Sequence, residues 1–142
     1  MAYILLLIYF LFFAEWYGRG QNIRMEPSYN FTPFLEINRF WKHRESLGFR
    51  IVFLNLCGNV IGFIPFGFIL PVLSRKMRKG PAVVFLGFLL SAFIEGMQLT
   101  LRVGSCDVDD VILNTAGVTV GYLLFRICNV IRRGRNGKKT KV

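Results

Sequence analysis

The chain has 142 residues, a net charge of +10, 54% hydrophobic residues with fifteen phenylalanines, and a mean hydropathy of +0.46. An ordinary soluble domain is about 45–50% apolar, so the excess is modest, but it is gathered into long segments that leave no room for a separate soluble catalytic domain. The positive charge does not point to a nucleic-acid partner, because the basic runs abut the ends of the apolar segments. Anionic lipid headgroups attract them there by about 1 kcal/mol per residue near the surface.

Four apolar stretches read as membrane spans, at about residues 2–17, 49–73, 81–101 and 108–131. A helix needs about 20 mostly apolar residues to cross the hydrocarbon. The expected fold is therefore all-α: an integral membrane bundle of four transmembrane helices forming one domain over residues 1–131, with a basic tail at 132–142. The first stretch is short. It lacks a basic n-region, and Phe13-Ala14-Glu15-Trp16 makes a poor cleavage site, so it reads as a retained span and not as a secretory signal. Trp16 and Tyr17 then sit at the interface, where aromatic belts form. Residues 18–48 follow as a connection between spans.

In the second span Asn55, Asn59, Gly62 and Phe66 recur at helical spacing and share one face. Pro65 and Pro71 are expected to kink or end that helix. The loop Ser74-Arg75-Lys76-Met77-Arg78-Lys79-Gly80 carries four positive charges and no acid. The third span repeats the spacing with Ser91, Glu95, Gln98 and Arg102, and the fourth with Asp107, Asp110, Asn114, Gly117 and Gly121. Gly58/Gly62 and Gly117/Gly121 both read as G-x-x-x-G, which allows close approach of helices two and four. The basic tail reads as a solvated, disordered run.

The positive-inside rule places the 74–80 loop and the tail in the cytoplasm, two spans apart, so the parity agrees. The protein is then a multi-pass cell-membrane protein with both termini cytoplasmic, and with residues 18–48 and 102–107 facing outward. Arg19, Arg24, Arg39, Lys42 and Arg44 in the first outer loop run against the rule, and Glu26, Glu36 and Glu45 count little toward it.

Asn55, Asn59, Glu95, Gln98, Asp110 and Asn114 interrupt three of the spans, and each lies near the outer end of its span. At about 1.5 Å per residue, Asn55, Glu95 and Asn114 each lie about 9 Å inside the outer boundary. An ionised side chain in hydrocarbon costs about 2.5–3.5 kcal/mol, whereas a hydrogen bond between membrane helices returns about 0.6 kcal/mol. A purely structural network is therefore a poor explanation for several acids at one depth. The candidate ligand-binding residues are Asn55, Asn59, Glu95, Gln98, Arg102, Asp107, Asp110 and Asn114. Ser91, one turn deeper than Glu95, is expected to matter little. Asp107, Asp109 and Asp110 could hold a hard cation, but acids at a helix start more often act as caps, and no metal site is assigned. His43 lies in the charged Lys42-His43-Arg44 loop and reads as solvated. Cys57, Cys106 and Cys128 have no metal-ligand spacing, and Cys106 reads as a free thiol in the outer loop.

The run Asn55-Leu56-x-x-Asn59-x-x-x-Phe63-x-Pro65-x-Gly67-x-x-x-Pro71, followed by Glu95-x-x-Gln98 and Asp107-x-Asp109-Asp110-x-x-x-Asn114-x-x-Gly117-x-x-x-Gly121, resembles the VanZ-like family. Asn30-Phe31-Thr32-Pro33-Phe34 is similar to that family's outer-loop N-x-x-P-F element. Arg102 departs from the pattern, lying one step earlier before the acid. The resemblance implies a small bacterial integral membrane protein associated with resistance to glycopeptide antibiotics, teicoplanin in particular. It implies no enzyme activity and no cofactor.

Two functions follow. The favoured one is a non-enzymatic binding or envelope-modifying factor, whose outward polar cluster holds the headgroup of a lipid-linked wall precursor or a glycopeptide. The alternative is a small intramembrane enzyme using Glu95 and Asp110 as acid–base groups; no nucleophile motif or catalytic residue is assigned. A transport path through four spans would require a homo-oligomer to enclose it.

Overall fold

The computed structural model describes Tyr3 and residues 29–42, 49–101 and 106–139. In chain order these form strand β1 (Tyr29–Asn30), helix α1 (Leu35–Lys42), helix α2 (Phe49–Leu73), a 3-10 turn (Arg75–Arg78), helix α3 (Gly80–Leu101), strand β2 (Cys106–Asp107) and helix α4 (Val108–Lys139). Three helices among the described residues, α2, α3 and α4, are long and apolar enough to cross a membrane. Residues 2–17, the first expected span, lie outside the described residues except for Tyr3. The Tyr3 hydroxyl donates to the carbonyl of Gly62 over 2.9 Å, and its ring packs on the apolar core.

Helix α4 is central, packing most extensively on α2 and also along α3. Glycine explains how closely. A Cβ on Gly117 would collide with the carbonyl oxygen of Val60, and one on Gly121 with that of Ile64. From the other side, Gly67 of α2 rests on the backbone of Val118. A Cβ at Gly87 of α3 would come within 2.6 Å of a Val118 methyl. Val118 is thus enclosed between two glycine faces and fully buried, together with Phe63 and Val83. Such backbone-to-backbone contact is how helices associate in lipid, where apolar burial alone gives no preference for protein over acyl chain.

The outside of the bundle is correspondingly apolar. Ile61, Phe85, Phe93, Leu123 and Ile127 are all exposed, and only 17% of the apolar stretch Leu56–Leu73 is buried within the protein. A bilayer supplies the missing contacts.

Helix α2 runs through Pro65 and ends two residues after Pro71, where the second proline was expected to end it. Two local features differ from the sequence reading. Helix α4 continues to Lys139, past the expected end at residue 131, and its residues 131–134 are exposed. No proline interrupts that stretch, and its Arg and Lys residues complement the negative end of the helix dipole. The first connection is also more ordered than a loop: it contributes α1 and a parallel pairing of β1 with β2 that sets Tyr29 beside Cys106 and Asn30 beside Asp107.

Candidate functional site

The site is built where the first connection, the end of α3 and the start of α4 meet. Asp107 precedes α4 and organises the junction. Its Oδ1 accepts the main-chain N–H of Asp109 over 2.9 Å, which is an N-cap. The same oxygen receives Asn30 Nδ2 over 3.4 Å, and Asn30 Oδ1 accepts the N–H of Thr32 over 3.0 Å. The main-chain N–H of Asp107 in turn donates to Glu95 Oε2 over 3.2 Å. Glu95 of α3 is therefore joined to α4 and to the outer connection through one aspartate.

The neighbouring acids face different partners. Asp109 caps α1 from across the fold: Oδ1 accepts the N–H of Phe34, and Oδ2 accepts that of Ile37 over 3.1 Å. Asp110 takes a hydrogen bond from Asn59 Nδ2 of α2. Divergence of this kind suits capping and helix pairing better than shared ligation of a cation. Among the described residues no three His, Cys, Asp or Glu side chains are disposed to hold a metal.

Deeper in the bundle, Asn114 Nδ2 donates to Ser91 Oγ over 2.9 Å. Both residues are fully buried, and Asn114 Oδ1 has no hydrogen-bond partner. Asn114 thus pairs one turn below Glu95, about 6 Å deeper, and does not share the depth of Glu95 as residue spacing suggested. Ser91 is likewise more than an indifferent neighbour. Ser91→Ala should leave the Asn114 amide without an acceptor, at a cost of about 1–3 kcal/mol for an unpaired buried group. Thermal melting in detergent checks this, with Ser91→Thr as the substitution that keeps the hydroxyl.

Of the expected set, the structure joins Glu95 to Asp107 and Asn59 to Asp110, while Asn114 pairs with Ser91 deeper in the bundle and Gln98 is buried on the Glu95 helix. Arg102 and the side chain of Asn55 lie outside the described residues. Sequence reasoning did not assign Asn30, Ser91 and Asp109 to the set. Asp109 falls off the Asp107–Asp110–Asn114 stripe, and that break in helical spacing was the available sign of a different partner.

Cys106 lies in β2 beside this network. Partial burial raises its thiol pKa, and the negative charges of Glu95 and then Asp107 raise it further. With Cys57 and Cys128 replaced, alkylation of Cys106 should be slow near neutral pH and accelerate as the pH rises. Glu95→Gln removes one negative charge, so it should speed alkylation at a fixed neutral pH. A stopped alkylation series across pH measures both effects.

The VanZ/LLP1 family model matches residues 1–129. Protein VanZ of Enterococcus faecium is 34% identical over 104 residues, covering 73% of this chain and 56% of its own length. The chain thus spans about half the length of that relative. No solved structure matches. The match over residues 1–129, with the 34% identity over 73% of the chain, shows that this membrane-helix protein belongs to the VanZ/LLP1 family.

Proposed function

We propose that this protein is a four-span, multi-pass factor in the cell envelope, with both termini cytoplasmic, that lowers susceptibility to teicoplanin-type glycopeptides by binding and not by catalysis. The contact of Tyr3 with Gly62 supports a first span packed on α2. The ligand class is the polar headgroup of a lipid-linked wall precursor, with its acyl part between helices and lipid.

One observation carries the reading. The buried carboxylate of Glu95 joins α3 to Asp107, while Asn59 of α2 joins Asp110 of α4, so three apolar helices converge polar groups at the end where the outer segment docks. Buried charge in a membrane helix is expensive and tends to be kept for ligand or ion recognition. The enzymatic alternative needs Glu95 and Asp110 to exchange protons, but both are already engaged as acceptors within the fold.

The test is complementation of a deletion strain, with teicoplanin and vancomycin compared side by side. Deletion should sensitise selectively to teicoplanin, and the wild-type gene should restore growth. Glu95→Gln and Asp110→Asn, expressed and inserted normally, should not restore it. Full restoration by both variants would reduce the cluster to packing, and an unchanged deletion strain would remove the link to resistance.

A further inference from the structure

Four large apolar side chains of the outer segment between Phe31 and Lys42 are exposed. Phe31 is 69% exposed, Phe34 60%, Leu35 49% and Trp41 61%, while Ile37, one helical turn before Trp41, is half-buried. Asn38 and Lys42 are exposed as well. Aromatic and aliphatic bodies beside an amide and a long cationic stem make the mixture that favours a membrane–water boundary over bulk water or hydrocarbon.

Position points to the same environment. Asp109 in the first turn of α4 accepts the N–H groups of Phe34 and Ile37, and Asn30 bonds to Asp107 just ahead of α4. Helix α1 is thereby tied to the start of α4, at the end of the bundle where α3 closes on exposed Leu101.

The backbone adds a third observation. Phe34 has φ of +63°, in the left-handed region that disfavours residues with a Cβ. Glycine would take that conformation without strain, yet the position holds an aromatic residue whose side chain gains little burial from the protein. An environment outside the protein explains the choice. A second copy of the chain is a weaker occupant, because four side chains fall well short of the about 800 Å² per partner of a stable interface.

We infer that residues 31–42 form an interfacial anchor, with Phe31, Phe34, Leu35 and Trp41 seated in the headgroup–acyl boundary of the outer leaflet. This rests on the membrane-spanning reading given above, not on the ligand proposed for the polar cluster. The anchor holds α1 flat against the bilayer at the edge of that cluster.

The chain has two tryptophans, so Trp16→Phe leaves Trp41 as the sole reporter. The full chain is reconstituted in phosphatidylcholine–phosphatidylglycerol vesicles whose acyl chains are brominated at either a shallow or a deep position. Trp41 emission should be quenched about twofold more by shallow than by deep bromines, since interfacial helices insert only about 5–10 Å. Aqueous iodide should quench it weakly. Strong iodide quenching with no bromine effect would overturn the inference and leave α1 in water. Protection from iodide and both bromines, relieved on diluting protein in lipid, would also overturn it and assign the face to a second copy. Should Trp16→Phe fail to fold, Trp16→Tyr serves instead. As a control, Phe93→Trp with Trp16 and Trp41 replaced by phenylalanine puts a reporter on exposed mid-α3. Quenching of that reporter by deep bromines shows that the bundle is inserted, so that an unquenched Trp41 counts against the anchor alone. Absence of that quenching would defeat the spanning reading and the anchor with it.

Discussion

Gly117→Leu should prevent the bundle from forming a stable fold, while Gly96→Leu should leave it intact. The contrast isolates close packing from helix propensity, because both changes put the same side chain into a membrane helix. At Gly117 the new Cβ meets the carbonyl of Val60, and the opposing α2 backbone has no rotamer with which to move aside. Overpacking usually costs about 1–3 kcal/mol and occasionally more, and a backbone-to-backbone clash belongs at the upper end. At Gly96 nothing lies within 4 Å of the added Cβ, so the change is absorbed by the exposed surface. Fluorescence-detected size exclusion after graded heating reads both. Equal melting points for the two variants would mean that α2 and α4 do not meet through Gly117.

The second large effect is expected at Asp109. Asp109→Ala removes the acceptors for the N–H groups of Phe34 and Ile37 in one step. Hydrogen bonds to charged groups contribute about 1.5–3 kcal/mol each, and without them little in the fold holds Phe34 at positive φ. Helix α1 should detach while α2, α3 and α4 keep their glycine contacts. Hydrogen exchange should therefore rise sharply over residues 31–42 and stay unchanged around Val118. Asp109→Asn, which retains an acceptor oxygen but not the charge, should fall between the two. Exchange that rises equally across α4 would show instead that Asp109 holds α4 itself.

What was legible in the sequence follows from the kind of force involved. Hydropathy and helical spacing identify α2, α3 and α4 because each must cross the hydrocarbon with about 20 mostly apolar residues and satisfy its own backbone hydrogen bonds there. Gly117 and Gly121 are legible for the same reason, as small residues on one stripe. The pairing of Asn59 with Asp110 agrees with their placement on converging faces. Long-range capping is not legible. The bonds from Phe34 and Ile37 reach an aspartate 75 and 72 residues away, and nothing local to residues 30–37 names their acceptor. The Ser91–Asn114 bond is hidden by register, since spacing within a helix does not determine how far one helix slides along another. The persistence of α2 through Pro65 depends on its surroundings and not on proline's own propensity.

The central claim is that the cluster around Glu95, Asp107 and Asp110 faces outward, and thiol accessibility in intact cells tests it most directly. In a background lacking Cys57 and Cys128, Cys106 is the native reporter beside the cluster, and Met77→Cys with Cys106 also replaced reports on the basic turn at the opposite end. A membrane-impermeant thiol reagent is applied at mildly alkaline pH to offset the raised thiol pKa of Cys106. The account predicts that Cys106 is labelled in intact cells, whereas Met77→Cys is labelled only after permeabilisation. Labelling of Met77→Cys in intact cells, with Cys106 silent until permeabilisation, would contradict it and move the polar site to the cytoplasmic side.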